Sequence, residues 1–286
     1  MHLDISESSP IGERFSLNNA ADPDVGTNSV KNYHLSSSEH FALEIQTGRD
    51  GSKFADLILK KALDREQQPV HNLTLTAVDG GVPTRTGTAS IIVRVLDVND
   101  NAPSFEKDRY VVDVMENSPI GSLVIKLNAT DLDEGSNSDI VYSYSLYTSE
   151  RTQNMFNLNP ENGEIRVKEM INYEDIKLYE MEIIVLAADK GAVSLSTPCN
   201  VVVRVEDVND NQPEIEITSL SSRIPEDAPL GTVVALMGVT DLDSGVNGQV
   251  VCSVPGHLPF DLKPSPDGHQ KNNTKQLDMI STPSQV

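Results

Sequence analysis

The chain has 286 residues and a formal charge of −21, from 43 acidic and 22 basic residues. This excess of negative charge argues against binding to nucleic acid or to an anionic membrane surface, since both are polyanions. The length allows one large domain or two to three small ones. Two cysteines, Cys199 and Cys252, leave the redox compartment undecided. Disorder is disfavoured, because the acidic residues lie between well-patterned apolar runs.

Apolar runs of five to seven residues recur along the chain and predict short β-strands, because they are rich in β-branched side chains. They are Leu73–Val78, Ile91–Leu96, Tyr110–Val114, Leu123–Leu127, Met181–Ala187 and Val201–Val205. The run Phe54–Lys61 has apolar residues at helical spacing, but its counterpart Gly163–Lys168 alternates, so we predict strands at both. Short strands separated by frequent turn signals indicate an all-β sandwich fold.

An internal period of about 110 residues divides the chain. The segment Asp97–Pro103 (DVNDNAP) returns as Asp207–Pro213 (DVNDNQP). Other marks recur in the same order: a glutamate before a Pro-x-Gly turn, at Glu7, Glu116 and Glu226, and an Asp-x-Asp pair followed by Gly-x-Asn, at Asp22/Asp24, Asp131/Asp133 and Asp241/Asp243. We therefore predict a truncated repeat at 1–103, a whole one at 104–213, a partial one at 214–265 and a disordered tail at 266–286.

The segments Asp97–Pro103 and Asp207–Pro213 have the composition of a cation site. Each places two carboxylates and two carboxamides within five residues and closes with a proline. Oxygen ligands in a short extended segment suit a hard cation, and calcium best. Zinc is disfavoured, because the histidines share no ligand spacing with a cysteine. Two like charges about 4 Å apart repel by about 4 kcal/mol at an effective dielectric of ~20, so converging carboxylates need cations.

Taken together, these marks resemble the extracellular repeats of cadherins. The resemblance also rests on Asp64-Arg65-Glu66 and on Ala-x-Asp-x-Gly at 77–81 and 187–191. Ala21–Ser29 (ADPDVGTNS) and Leu63–Glu66 (LDRE) are most similar to clustered protocadherins. The resemblance implies tandem, seven-stranded Greek-key sandwiches of the immunoglobulin type, joined end to end with three calcium ions at each joint. The chain would span the second, third and part of the fourth repeat of a six-repeat ectodomain.

The same resemblance implies which residues bind calcium. At the first joint they are Glu7, Asp64, Glu66, Asp97, Asn99, Asp100, Asp131, Asp133 and Asp189, with backbone oxygens of Val98, Asn101 and Asn137. At the second joint they are Glu116, Glu174, Asp207, Asn209, Asp210, Asn211, Asp241, Asp243 and Asn247. A third set, expected to face a missing repeat, is Asp22, Asp24, Asn28 and Asp79. We expect weaker binding at the second joint, because Asn172 replaces Asp64 and no counterpart of Asp189 follows.

The function implied is calcium-dependent homophilic cell–cell adhesion. The partner would be an identical protocadherin ectodomain on an opposing cell, with related protocadherins as partners in cis and no small-molecule substrate. Exposed strand faces of the first two repeats would carry recognition. An enzyme is disfavoured, because calcium sites saturated by protein oxygens leave no open position for catalysis. The alternative is a soluble, unanchored fragment, a decoy or an incomplete gene model, that binds calcium without adhering.

Three sequons and the terminal segments bear on localisation. Asn72, Asn128 and Asn272 each stand in an Asn-x-Ser/Thr sequon and are candidate glycosylation sites, which favours a secreted setting only weakly. The resembled family lies on the extracellular side of the plasma membrane. We expect this chain itself to lack a signal peptide and a membrane span, because its first residues are not a signal sequence and no apolar run approaches the ~18–20 residues of a span.

Overall fold

The computed structural model describes residues 1–49, 51–176, 180–265 and 274–282. Their strands, in chain order, are β1 His2–Ser6, β2 Arg14–Ser16, β3 Val30–Leu35, β4 Phe41–Thr47, β5 Lys53–Leu59, β6 Val70–Asp79, β7 Thr86–Leu96, β8 Ser104–Phe105, β9 Arg109–Met115, β10 Leu123–Lys126, β11 Ala129–Thr130, β12 Val141–Tyr144, β13 Phe156–Leu158, β14 Glu164–Val167, β15 Glu180–Ala188, β16 Ser196–Glu206, β17 Glu214–Leu220, β18 Val233–Thr240, β19 Phe260–Pro264 and β20 Thr274–Ser281. The helices are α1 Glu150–Met155 and α2 Tyr173–Ile176, with one-turn 3₁₀ helices at Gly26–Asn28 and Gly135–Asn137.

The chain divides into two compact units. Unit one comprises Met1–Glu106, Asn128–Val141 and Leu186–Thr197. Unit two comprises Lys107–Leu127, Tyr142–Val185 and Pro198–Val286. The division does not follow the predicted repeat boundaries at 103 and 213, which remain predictions.

Unit one contains a two-sheet sandwich. One sheet has the strand order β1-β7-β6-β3 and the other β2-β5-β4. β1 runs parallel to β7, whereas β3, β6 and β7 pair antiparallel. Leu57 and Leu59 of β5 pack in the same buried cluster as Leu73 of β6 and Val93 of β7, so both sheets contribute to one core. This core fixes the ends of the strands from which the acidic loops emerge.

Unit two is built from three sheets. Their strand orders are β10-β14-β13, β12-β15-β16-β9 and β17-β18-β20-β19. β9 runs parallel to β16 over seven residue pairs, from Arg109↔Asn200 to Met115↔Glu206. In the third sheet, all neighbouring strands are antiparallel. The parallel pair β9–β16 ends just before Glu116 and Asp207, so it brings these two acidic residues to the same end of the sheet.

The strand predictions are confirmed. The six apolar runs lie in β6, β7, β9, β10, β15 and β16, except that Leu127 directly follows the end of β10. The ambiguous run at 54–61 forms β5, in which Ala55, Leu57 and Leu59 are buried on alternate positions. The structure thus assigns period two to this run, and its counterpart at 163–168 forms β14.

The expected disorder of residues 266–286 is wrong for the segment Thr274–Ser281, which forms β20. This strand pairs with β18 on one side and β19 on the other. Leu277 and Ile280 are buried, with 4% and 8% of their surface exposed. Although the segment is polar overall, Leu277 packs in one buried cluster with Ala235, Met237 and Val239 of β18. Residues 266–273 and 283–286 lie outside the described ranges.

Candidate metal centre

Glu7 anchors the first acidic centre, which lies within unit one. It directly follows β1, and 8% of its surface is exposed. One carboxylate oxygen accepts a hydrogen bond of 2.8 Å from the backbone N–H of Arg65, and the other accepts one of 2.7 Å from the N–H of Val98. The carboxylate therefore ties the loop after β5 to the segment after β7.

Three carboxylates of the first centre converge. Glu7, Glu66 and Asp97 each offer an oxygen, and these atoms lie within 4.8 Å of one another. Burial raises the pKa of Glu66, and the charge of Glu7 adds to this effect. Both effects oppose ionisation of Glu66, so the ionised cluster requires compensating positive charge.

The segment that follows β7 is held by hydrogen bonds to the Asp131–Asn137 loop. Asp97 accepts hydrogen bonds from the backbone N–H of Glu134 at 3.1 Å and from the Asn137 amide at 2.8 Å. The Asn101 side-chain amide donates to Asp133 at 2.8 Å. The loop therefore contacts the segment at both ends, at Asp97 and at Asn101.

Asp100 and Asp131 complete this group. Burial raises the pKa of Asp100, and the charges of Glu66 and Asp133 raise it further. Burial also raises the pKa of Asp131, whose Oδ1 accepts from the backbone N–H of Asp133 at 3.0 Å. Both carboxylates are therefore harder to ionise than in solvent, as expected where carboxylates are buried close together.

Asp189 differs, because hydrogen bonds keep it ionised. Burial opposes its charge, but the backbone N–H groups of Gly191 and Leu195 and the amide of Asn99 outweigh burial and lower its pKa. The Asn99 amide donates to Asp189 at 3.1 Å and to the carbonyl of Val193 at 2.7 Å. The Asn99 carbonyl oxygen is thereby turned away from these partners.

Asp64 stands apart from the three-carboxylate groups of the described residues. Its oxygens accept from the backbone and side-chain N–H groups of Gln67. Its charge nevertheless contributes to the raised pKa of Asp100, so the two carboxylates are neighbours.

The second centre lies within unit two and repeats much of this geometry. Glu116 accepts from the backbone N–H groups of Tyr173 at 2.8 Å and Val208 at 2.7 Å. These contacts match those of Glu7 with Arg65 and Val98. The ligand atoms of Glu116, Glu174 and Asp207 lie within 4.8 Å of one another, and so do those of Glu174, Asp210 and Asp243. Glu174 therefore belongs to both groups.

Three further contacts of the second centre match contacts of the first. The Asn211 amide donates to Asp243 at 2.7 Å, and the Asn247 amide donates to Asp207 at 2.8 Å. Asp241 accepts from the backbone N–H of Asp243 at 3.0 Å. Asn209 lies in an open groove of about 490 Å³ beside Asp210 and Asn211.

The third predicted set has the same local contacts but a looser arrangement. Asp22 accepts from the backbone N–H of Asp24 at 2.9 Å, and Asp79 accepts from the N–H of Arg85 at 2.8 Å. Asn28 and Asp79 both lie near Gly81. In the described ranges, none of the three carboxylates belongs to a group of three convergent ligands.

Several carboxylate and amide oxygens in the two centres are buried without a hydrogen-bond partner. Such oxygens are free to bind a cation. They are Asn99 Oδ1, Asp131 Oδ2 and both carboxylate oxygens of Glu174. A buried, unpaired carboxylate oxygen is costly unless a cation or donor reaches it. All four are hard oxygen ligands, which calcium prefers. The residues of both centres therefore fit a calcium ion.

Sequence comparison decides the family. The cadherin domain family matches this chain twice, at residues 1–96 and 110–206. The chain belongs to the cadherin family.

This cadherin is similar to protocadherins, which confirms the predicted resemblance. It is 49% identical over 265 residues to protocadherin gamma-C3 of Homo sapiens, covering 93% of this chain and 28% of that protein. It is 50% identical over 261 residues to protocadherin alpha-3 of Homo sapiens, covering 91% and 27%. The solved extracellular cadherin domains 1–5 of protocadherin gamma B2 superpose with a TM-score of 0.87 at 39% identity, covering 99% of this chain and 52% of that chain. The chain spans less than a third of the length of these curated relatives.

The structural likeness confirms the predicted fold class, since the neighbours of this cadherin are tandem cadherin repeats. Of the sequons, Asn72 is exposed on β6 and Asn128 is exposed between β10 and β11, whereas Asn272 lies outside the described residues. Their glycosylation stays a prediction. None of the helices in the described ranges has the length and hydropathy of a membrane span.

One residue of the first centre escaped the sequence analysis. Arg65 lies between the predicted ligands Asp64 and Glu66, and only 8% of its surface is exposed. Its guanidinium pairs with Glu66 and with Asp97. Its position between Asp64 and Glu66 in the sequence indicated that the guanidinium would lie close to carboxylates.

Proposed function

We propose that this cadherin segment is a calcium-dependent adhesion module in which calcium stiffens the segments Val98–Asn101 and Val208–Asn211. Cadherins are adhesion proteins, and the relatives of this chain are protocadherins. The observation that carries the proposal is the pair of three-carboxylate groups anchored by Glu7 and Glu116. Each group is anchored by a buried glutamate that accepts two hydrogen bonds from backbone N–H groups.

The proposed ligands at the first centre are the carboxylates Glu7, Glu66, Asp97, Asp131 and Asp133. Asp100, Asp189 and Asn99 complete the set, and Asp64 joins it if its oxygens turn from Gln67. Bound calcium would supply the positive charge that neutralises these groups. The protein's own residues orient the oxygens: Glu7 through two backbone N–H groups, and Asp133 through the Asn101 amide.

Calcium dependence is tested by thermal unfolding and limited proteolysis, with and without a chelator. Extracellular calcium modules bind at about 10⁻⁴–10⁻³ M, so millimolar calcium should raise the melting temperature and protect the segments Val98–Asn101 and Val208–Asn211 from cleavage. A variant with Glu7→Gln should lose this protection at Val98–Asn101 only. An unchanged melting temperature and cleavage pattern on chelation would defeat the proposal.

We further propose that adhesion is homophilic, with an identical ectodomain on the opposing cell and related protocadherins in cis. Beads coated with the chain should aggregate in millimolar calcium and sort from beads coated with protocadherin gamma-C3. Mixed aggregates would contradict homophily. Calcium binding without aggregation would support the second candidate, a calcium-binding fragment with no adhesion of its own.

A further inference from the structure

The two centres have similar geometry but differ in one buried charge. At matched positions, Asp64-Arg65-Glu66 of the first centre becomes Asn172-Tyr173-Glu174 in the second. Arg65 Nε donates to Asp97 Oδ1 at 2.6 Å, and another guanidinium nitrogen pairs with Glu66. A third nitrogen lies 3.3 Å from Glu134. The first centre therefore contains a cation of its own.

The guanidinium of Arg65 is held in place by more than charge. It donates to the carbonyl of Leu132, in the loop that carries Asp131 and Asp133. The side chains of Arg65, Glu66 and Asp97 are 9%, 15% and 10% exposed. Arginine suits such a position, because its planar fork of donors can bind several carboxylates while the charge stays fixed.

Among the residues that the structure describes, the second centre has no ion pair equivalent to that of Arg65. In the described part of the chain, no lysine or arginine pairs with Glu116, Glu174 or Asp207. Both oxygens of Glu174 are buried and unpartnered, whereas Glu66 at the matched position has Arg65. A buried carboxylate group without a counter-charge is strongly unfavourable.

We propose that Arg65 is a built-in counter-cation that makes the first centre more ordered than the second when calcium is scarce. The proposal rests on the calcium-binding function given above. Without calcium, Arg65 bridges Glu66 and Asp97 to the Asp131–Asn137 loop. The Glu116, Glu174 and Asp207 carboxylates repel one another in the same conditions, so the Val208–Asn211 segment loses its order first.

Amide hydrogen exchange on the whole chain tests this proposal, with saturating calcium or a chelator. In calcium, peptides that cover Asn99–Asn101 and Asn209–Asn211 should both be protected. In the chelator, exchange should accelerate at least about tenfold more at Asn209–Asn211, because exchange follows the local opening equilibrium. Arg65→Tyr should make the first segment as labile as the second in the chelator and leave its protection in calcium intact.

Three further variants separate charge from folding. Arg65→Lys keeps the charge and should retain most of the protection in the chelator. Tyr173→Arg should slow exchange at Asn209–Asn211 in the chelator. Arg14→Gln removes an exposed arginine that pairs with Glu44 at 2.8 Å, well before both motifs and both segments in sequence, and should change neither segment.

The possible results separate this inference from the proposed function. If calcium protects both segments but Arg65→Tyr leaves exchange in the chelator unchanged, Arg65 is not the counter-cation and the inference fails alone. If calcium protects neither segment, the calcium-binding function fails as well. Should Arg65→Tyr unfold the chain, loss of protection in β6 and β7 in calcium would reveal it, and Arg65→Lys with Tyr173→Arg would then decide the question.

Discussion

Substitution of Gly191 by alanine tests how the first centre holds Asn99. A Cβ atom at Gly191 would overlap the Nδ2 atom of Asn99 and lie 2.9 Å from Asn137 Oδ1. Neither side chain is free to move, because Asn99 Nδ2 donates to Asp189 and Val193, and Asn137 donates to Asp97. Gly191→Ala must therefore break both hydrogen bonds of Asn99. At about 0.5–1.5 kcal/mol each, the loss is about 1–3 kcal/mol.

The matched control is Gly81→Ala, two residues after Asp79 as Gly191 is two after Asp189. There the nearest atoms to a new Cβ, Asn28 Oδ1 and Asp79 Oδ2, lie 3.4 and 3.5 Å away, which is near ordinary contact. Urea unfolding in a chelator should show the loss for Gly191→Ala and a change within about 0.5 kcal/mol for Gly81→Ala. Calcium titration should show weaker binding only for Gly191→Ala, because the Asn99 oxygen is displaced. Equal stability and equal calcium affinity for the two variants would refute the argument.

Three other predictions concern the core and its titration. Leu57→Ala, at a fully buried position of β5, should cost about 2–5 kcal/mol in urea unfolding, whereas Val82→Ala at a 99% exposed position should change little. Leu277→Ala should destabilise the β17–β20 sheet by about 2 kcal/mol or more, measured as faster amide exchange in β18; unchanged exchange would argue against β20. Burial lowers the pKa of His71 below 6.5, and the charge of His40 lowers it further. Between pH 6.5 and the folded pKa, His71 is therefore protonated in the unfolded chain but neutral in the folded chain. In saturating calcium, stability should therefore fall as the pH drops from about 6.5 through the folded pKa, and His71→Phe should reduce that fall.

Local patterns were sufficient to predict the strands and the acidic loops. The run at 54–61 fits both a helical spacing and an alternation with period two, as at Leu57 and Leu59. Its counterpart at 163–168 alternates, and this favours a strand at both positions. The glutamates after β1 and β9 could be placed because the same sequence recurs one period later. A repeat supplies an internal control that a single domain does not have.

Tertiary pairing decided what local patterns missed. The segment Thr274–Ser281 is polar enough to suggest disorder, yet it pairs with strands on both sides. Its sequence neighbours give no sign of β18, from which it is separated by more than 30 residues. Asp64 was predicted as a calcium ligand, and its oxygens accept instead from Gln67, three residues along the same loop. Its role as a ligand remains a prediction.

The comparison of the two centres separates what the backbone sets from what a side chain sets. The anchoring glutamates accept from matched backbone groups at the same distances, 2.8 and 2.7 Å, in both. The backbone groups therefore set the position of each anchoring glutamate. That position does not depend on which side chain, that of Arg65 or that of Tyr173, the donating residue carries. That residue, Arg65 or Tyr173, alters the charge of the cluster without altering the frame that holds it. The smaller number of carboxylates at the second centre should weaken calcium binding there, and the tyrosine in place of Arg65 should increase the loss of order there without calcium. Because one concerns affinity and the other the calcium-free state, calcium titration and exchange in a chelator measure them separately.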